Sequence, residues 1–466
     1  MYKLTTNERK MVQKIIQQQI DFFQTQQTKE VSFRKKALKR LQEEIVKRED
    51  AICDALYADF KKPKFETLAA ETQFVLAEIK HVLNNMDSWA RPERVSGSWM
   101  NWPSSDYIYK EPYGAVLVIA PWNYPFQLAI APLIGAVAAG NTVVVKPSEI
   151  TTHTAAIISE IIKVVFDPAH VTVVEGGVEV SQELLAEKWD YIFFTGSPGV
   201  GKIVYQSAAK HLTPVTLELG GKNPCIVDDS AAIDLAAKRI VWGKFLNAGQ
   251  TCIASDYILV HEKVKDQLIV ALKENITKSY GENMEASPDF SRTVNQKHYQ
   301  GLKDMLVGEE ILFGGQSNDE DNYLSPTLVN EPKLDSKLMA GEIFGPILPI
   351  ISYKTDADID RHIMNYGKPL ATYVFSNNKQ FQNKIINTYS FGGGAINDTV
   401  IQITNKRLPF GGVGQSGIGA YHGKLSFDIF SHHKAIIKKA NWFEAPVRYP
   451  PYNVPMNFVK KIKHLF

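Results

Sequence analysis

From Gly114 onward, short apolar runs alternate with helical stretches, and that alternation leaves few architectures open to the chain. The runs GAVLVIA, NTVVVKP, HVTVVEG and YIFFTG carry the signature of a parallel sheet with crossover helices. A second series follows Leu219-Gly220-Gly221, with PCIVD, YILVH, LPIISY and TYVFS separated by helical segments such as SAAIDLAAKRIVWGKF. Two α/β lobes are expected, joined as one rigid unit. Ligands in such sheets bind at the carboxyl ends of the strands, which would place the chemistry in a cleft between the lobes. Residues up to about Trp89 predict amphipathic helices, as in RKKALKRLQEEIVKREDAICDALYADF, where apolar positions recur at three and four. Between Trp89 and Gly114 the stretch SWMNWPSSDYIYKEPYG suits two extended strands outside the main core. The longest apolar region, Ala129 to Gly140, contains Pro132. It is far shorter than the roughly 20 residues that span a bilayer, so it reads as a buried helix.

Length and composition bound the class of partner. With 466 residues, 44% hydrophobic and 22% charged, the chain can bury a large core in two to four domains or subdomains. Lys plus Arg total 52 against 50 for Asp plus Glu, a balance that gives no nucleic-acid footprint and favours a small-molecule partner. Three cysteines, Cys53, Cys225 and Cys252, argue for a reducing compartment and leave each a candidate thiol. The polar, helical N-terminal pattern is not of signal-peptide type, so the cytoplasm is expected.

The stretch FFTGSPGVGKIV, from Phe193 to Val204, has the glycines of a phosphate-binding loop, Gly196, Gly199 and Gly201, between an apolar strand and a helix. An ATPase loop needs Ser or Thr after its Lys to hold Mg²⁺, and here Lys202 precedes Ile203. On this segment alone, another kind of nucleotide-binding turn and an ordinary strand-to-helix turn both stay open.

Further segments share an order and spacing with it: PWNYP around Asn123, VVVKPSE around Lys146, LELGG around Glu218, NAGQTC ending at Cys252, and EIFGP from Glu342 to Pro346. Together they resemble the aldehyde dehydrogenase superfamily, from about Tyr107 to Lys434. The compact N-terminal region and GIGAYHGKLSFDIFSHHK are most similar to its shorter, dimeric class 3 branch, which oxidises medium- and long-chain aliphatic and aromatic aldehydes. The resemblance implies an α/β fold with a Rossmann-like NAD-binding domain over 1–90 and 113–219 and an α/β catalytic domain over 220–410. It further implies a small β bridging and oligomerisation element from 91–112 and 411–450, a tail over 451–466, and a homodimer. One departure is GGGAIND, where Gly394 stands at a position that is usually β-branched in that branch.

Chemistry and resemblance agree on the residues. Oxidising an aldehyde requires a nucleophile that forms a tetrahedral adduct, and the Cys252 thiol follows a polar small-residue loop where it can be partly exposed and activated. Cys53, in an amphipathic helix, and Cys225, in an apolar strand, read as packing residues. Asn123 can donate its amide to the developing oxyanion, or cap a turn between two prolines. By resemblance the backbone N–H of Cys252 is the second donor. Glu218 interrupts the apolar strand VTLELGG; alone it reads equally as an outward-facing strand residue, and by resemblance it is the base that activates water for thioester hydrolysis. Lys146 and Glu149 suit a solvated helix start, and resemble the pair that holds the adenosine ribose. Glu342 resembles the carboxylate on the nicotinamide ribose, with Phe344 beside the ring. Trp122, Thr195, Gly196, Ser197 and Gly201 complete the implied cofactor site. Glu149 favours NAD over a 2′-phosphate, with NADP as a second cofactor.

Glu218 argues against a coenzyme A-acylating dehydrogenase, and the intact nucleophile and loop argue against a non-catalytic binding protein. His422, His432 and His433 have no Cys or acidic partners at ligand-like spacing, so no metal is expected. The tail NFVKKIKHLF, with Phe458, Val459, Ile462, Leu465 and Phe466 among Lys460, Lys461 and Lys463, is a basic amphipathic pattern. It suits a solvated or dimer-packing segment, or at most peripheral membrane contact.

Overall fold

A computed structural model describes residues 6–444 and 448–461; the tail positions Ile462, Lys463, Leu465 and Phe466 lie outside the described residues. The chain divides into two compact units, one holding residues up to 89 and 111–432, the other residues 90–110 and those from 433 onward.

The large unit holds both α/β sheets. In the first, the strands run in the order Gly417–Ile418, Val215–Leu219, Tyr191–Gly196, Ala115–Ile119, Thr142–Lys146 and Val171–Val173. All neighbours are parallel except the edge strand Gly417–Ile418, which pairs antiparallel with Leu217 and Glu218. Chain order reverses between Ala115–Ile119 and Tyr191–Gly196, so the loops after these two strands diverge and open a crevice at their carboxyl ends. The second sheet runs Glu310–Phe313, Thr327–Asn330, Ile347–Tyr353, Tyr257–His261, Pro224–Val227, Ala371–Phe375 and Gly393–Ile396, parallel but for its first strand.

Gly220–Asn223 leads directly from the last residue of Val215–Leu219 to the first of Pro224–Val227. The second sheet therefore begins where the first ends. The cleft receives the carboxyl ends of the first sheet's strands but the amino ends of the second's, which corrects the expectation that both sheets would present carboxyl ends.

Helix Pro125–Ala139 is buried at every position, Pro132 included. Unlike an amphipathic surface helix it is apolar all round, because other helices cover it. The N-terminal helices Val31–Lys47, Glu49–Phe60 and Gln73–Trp89 bury Leu38, Leu41 and Ile45, then Ile52 and Leu56, then Val75, Ile79, Val82 and Met86. That spacing of three and four is what makes each helix one-sided.

Residues 411–432, expected in the bridging element, fall in the large unit. Gly417–Ile418 extends the first sheet, and Gly135 of helix Pro125–Ala139 lies so close to Ser426 and Phe430 that a Cβ there would clash. Gly394 is pressed onto the Thr372 carbonyl oxygen, where a Cβ would come within 2.0 Å, so a β-branched residue does not fit this backbone.

In the small unit, Glu93–Val95 pairs antiparallel with Ser104–Pro112, which neighbours Ser431–Lys439. Trp102 packs edge-to-face with Trp442 and Phe443, and Lys438 lies over the Tyr107 ring. No helix among the described residues is long and apolar enough to cross a membrane.

Candidate active site

Cys252 ends a loop whose backbone is unusual. Asn247, Ala248 and Gly249 take φ of 56°, 52° and 75° in succession, a left-handed path costing about 1–2 kcal/mol for each non-glycine residue. Buried polar contacts hold it in place. Asn247 Nδ2 donates to the carbonyls of Asn123 (2.8 Å) and Gln250 (3.1 Å), and Gln250 Nε2 donates to those of Asn247 and Arg292. Asn223 Nδ2 donates to the carbonyls of Cys252 and Ala254.

The thiol is partly exposed, as the sequence reading has it; its activation is where that reading needs correction. Cys252 is half-buried, and burial followed by the nearby Glu342 and Glu218 carboxylates pushes its thiol up to about 12. A positive charge brought to the cleft would reverse that direction.

Glu218 is buried, not outward-facing, and neither carboxylate oxygen has a hydrogen-bond partner. Burial raises its carboxyl well above the usual range. Glu342 lies across the same cavity, its carboxylate packed on Gly220 where a Cβ would clash at 2.0 Å; burial pushes it up to about 8. Asn123 is buried, and its amide donates to the Gln250 carbonyl at 3.1 Å.

Two cavities meet at Cys252. One, of about 250 Å³, is lined by Trp122, Asn123, Thr195, Gly196, Ser197, Glu218, Glu342 and Phe344, which brings together most of the expected site. Ser197 caps helix Pro198–Ala209, accepting from the Val200 N–H. Gly201 lets that helix press against the neighbouring strand, because a Cβ there would come within 2.6 Å of Leu219 Cδ2. The helix N-terminus and this close packing are features a dinucleotide's pyrophosphate requires. Lys146 and Glu149 lie at the end of strand Thr142–Lys146, paired with each other at 2.6 Å, and are not on the wall of either cavity.

The other cavity, of about 510 Å³, is a mostly apolar funnel walled by Phe65, Phe74, Leu128, Trp242, Tyr280, Val400, Ile401 and Phe410 among others.

Sequence reasoning missed several residues that shape this cleft. Lys222 is buried and donates to Asp256 (2.6 Å) and the Gly341 carbonyl (2.7 Å), while Asp256 accepts the Ile343 N–H, so the pair clamps the loop bearing Glu342. A lysine directly after LELGG was a readable signal. His298 bonds the Phe344 carbonyl at 2.8 Å and stacks edge-to-face on Trp122. Tyr421 lines the smaller cavity with its buried hydroxyl unpartnered. His298 lay in no motif, and Tyr421 lay in GIGAYHGK without a role being read for it. His422 is buried and stacked on Phe410.

Residues 1–436 match the model of the aldehyde dehydrogenase family. The chain is 49% identical over 441 residues to 4,4'-diaponeurosporen-aldehyde dehydrogenase of Staphylococcus aureus, covering 94% of this chain and 96% of that one. It is 43% identical over 431 residues to aldehyde dehydrogenase family 3 member A2 of Rattus norvegicus, covering 92% and 89%. Among solved structures, Staphylococcus aureus AldH in a substrate-bound state superposes with a TM-score of 0.95 at 48% identity, over 97% and 99% of the two chains. Mycobacterium tuberculosis aldehyde dehydrogenase complexed with NAD+ superposes with a TM-score of 0.78 at 25% identity, over 88% and 86%.

Proposed function

We infer that this chain, which belongs to the aldehyde dehydrogenase family and so oxidises aldehydes to carboxylic acids with NAD(P), does so through a Cys252 thiohemiacetal and a thioester hydrolysed with help from Glu218. The observation that carries this reading is the Glu218 carboxyl, buried with both oxygens unpartnered in the cavity that Cys252 shares. An orphaned carboxyl costs stability unless something else fills its hydrogen-bonding capacity. A hydrolytic water does.

Cys252 releases its thiol proton to solvent, its thiolate Sγ attacks the aldehyde carbon, and the negative charge that develops on oxygen faces the Asn123 amide and the Cys252 N–H. Bound NAD(P)+ supplies the hydride acceptor and a positive charge near the thiol. Trp122, Thr195, Gly196, Ser197, Glu342 and Phe344 line the space that would hold its nicotinamide end. Gly201 sets the helix against which the pyrophosphate would lie, and Lys146 with Glu149 would meet the adenosine ribose. With a carboxylate at Glu149, NAD is the main cofactor and NADP a second. Oxidation leaves an acyl thioester on Cys252; Glu218 then takes a proton from the attacking water, and the thiolate leaves.

The apolar, aromatic funnel favours aldehydes with medium or long aliphatic chains or aromatic bodies. The same reading makes the protein a cytoplasmic homodimer assembled through the bridging element of 91–112 and 411–450, with at most peripheral membrane contact through the C-terminal tail. Its residues 1–90 and 113–219 act as the cofactor domain and 220–410 as the catalytic domain.

Glu218→Gln tests the mechanism. The amide keeps the shape but cannot accept the proton, so mixing with NAD and a reactive aldehyde should give an NADH burst near one per site. Turnover thereafter should be about 10²–10⁴-fold slower than wild type, with acyl-enzyme visible by intact-mass spectrometry. Wild-type steady-state turnover by this variant would remove Glu218 from the reaction.

A further inference from the structure

Glu66 has no part in the assignments above, yet it touches the loop on which they depend. It sits in the short helix Lys64–Thr67, 181 residues before Asn247 in sequence, and its carboxylate Oε2 accepts the backbone N–H of Asn247 at 2.9 Å. That N–H opens the left-handed segment running from Asn247 to Gly249. Alanine in particular resists such a path, so the segment persists only if contacts at its ends over-determine it.

Asn247 passes the constraint onward. Its Nδ2 donates to the Asn123 carbonyl and to the Gln250 carbonyl, and the Asn123 amide donates to that same Gln250 oxygen. Two amides thus converge on one acceptor, and a shift of the Asn247 backbone moves both. Glu66 also forms part of the funnel wall, as do Phe65, Tyr280 and Asp289.

We propose that Glu66 is a positioning residue for aldehyde capture: by gripping the Asn247 N–H it fixes the strained loop, and through Asn247 it aims the Asn123 amide at the carbonyl oxygen beside Cys252. The proposal rests on the roles inferred above for Cys252 and Asn123. The ionisable groups that face the Glu66 carboxyl are Lys62, Asp289, Tyr124 and Tyr280. Burial pushes that carboxyl up to about 7, with Lys62 and the Asn247 N–H pulling it down and Asp289 adding to the rise. The ionised form is the stronger acceptor, so the grip tightens as pH rises through about 7.

Two variants separate positioning from bulk structure. Glu66→Leu keeps a side chain of similar size in the funnel wall and removes the acceptor; Glu66→Gln keeps an acceptor oxygen and removes the charge. With NAD and benzaldehyde, Glu66→Leu should lower kcat/KM for the aldehyde about 10- to 100-fold, the scale of a misplaced catalytic contact, with the Kd for NAD unchanged. Glu66→Gln should recover most of that loss and flatten the rise of kcat/KM through about pH 7. Equal losses in the two variants, a Leu variant at the wild-type rate, or parallel loss of NAD affinity overturns the proposal. If the Leu variant does not fold, a wild-type pH profile in Glu66→Gln is enough to overturn it. Intact-mass detection of acyl-Cys252 keeps the two readings apart. Acyl-Cys252 accumulating in Glu218→Gln beside indifferent Glu66 variants sinks Glu66 alone, whereas its absence from Glu218→Gln sinks the mechanism on which it rests.

Discussion

Three acidic groups converge on the cleft, Cys252, Glu218 and Glu342, and burial raises all three. Each is easier to keep neutral than charged until a cation arrives, and for Glu342 this has a consequence for stability. An unperturbed glutamate titrates near 4.5, and the folded protein pushes Glu342 up to about 8. Between those values the folded protein holds a proton that the unfolded chain has released. The contribution of this group is therefore fully present below about 4.5 and is lost as pH rises through about 8. Glu342→Gln has no proton to lose. Its cofactor-free melting temperature should exceed that of wild type by more at about pH 8 than at about pH 6, and a pH-independent difference in scanning calorimetry would show that Glu342 does not titrate this way.

At the scale of elements, the N-terminal helices do more than pack. Glu71 takes a 2.6 Å ion pair from Lys62, both fully buried, and its other oxygen accepts the N–H groups of Phe126 and Gln127 at the start of helix Pro125–Ala139. Lys62 also lies 3.8 Å from the centre of the Tyr124 ring. The helix that follows Asn123 is thus anchored from a segment some 50 residues away. Lys62→Met would leave the Glu71 charge buried without its cation and should cost about 3–5 kcal/mol, read as a lowered denaturation midpoint; a midpoint within error of wild type would mean that Glu71 is held neutral. None of this was legible in the sequence. The strands were, because GAVLVIA or YILVH has no other way to be buried, whereas LELGG and NAGQTC pointed to one cleft through the order they share with the other segments rather than through their local chemistry. What escaped depends on contacts far apart in the chain: Glu66 on Asn247, Lys62 on Glu71, and Lys222 on the loop at Glu342. The direction of the second sheet escaped for the same reason, since it follows from a connection of four residues, Gly220–Asn223, rather than from any strand's own pattern.

Across the whole molecule, charge is unevenly shared. Residues 90–110 and those from 433 onward hold ten of the 52 Lys and Arg but only three of the 50 Asp and Glu. They also expose Trp99, Trp102 and Trp442, aromatic surface of the kind that interface centres use. Sedimentation of the full chain should give twice the monomer mass, and replacing Trp102 and Trp442 together by Ser should shift it toward monomer while leaving helix content unchanged. A monomeric wild type would rule out the homodimer. The meeting of two cavities at Cys252 bears on inhibition. On the reading proposed above, the dinucleotide and the aldehyde would reach one sulfur from two different cavities, so filling one would leave the other free. An electrophile carried on an aliphatic tail should therefore alkylate Cys252 with the dinucleotide already in place, and faster than without it, because the bound positive charge favours the thiolate. A covalent inhibitor of this protein would act best on the enzyme most ready to turn over.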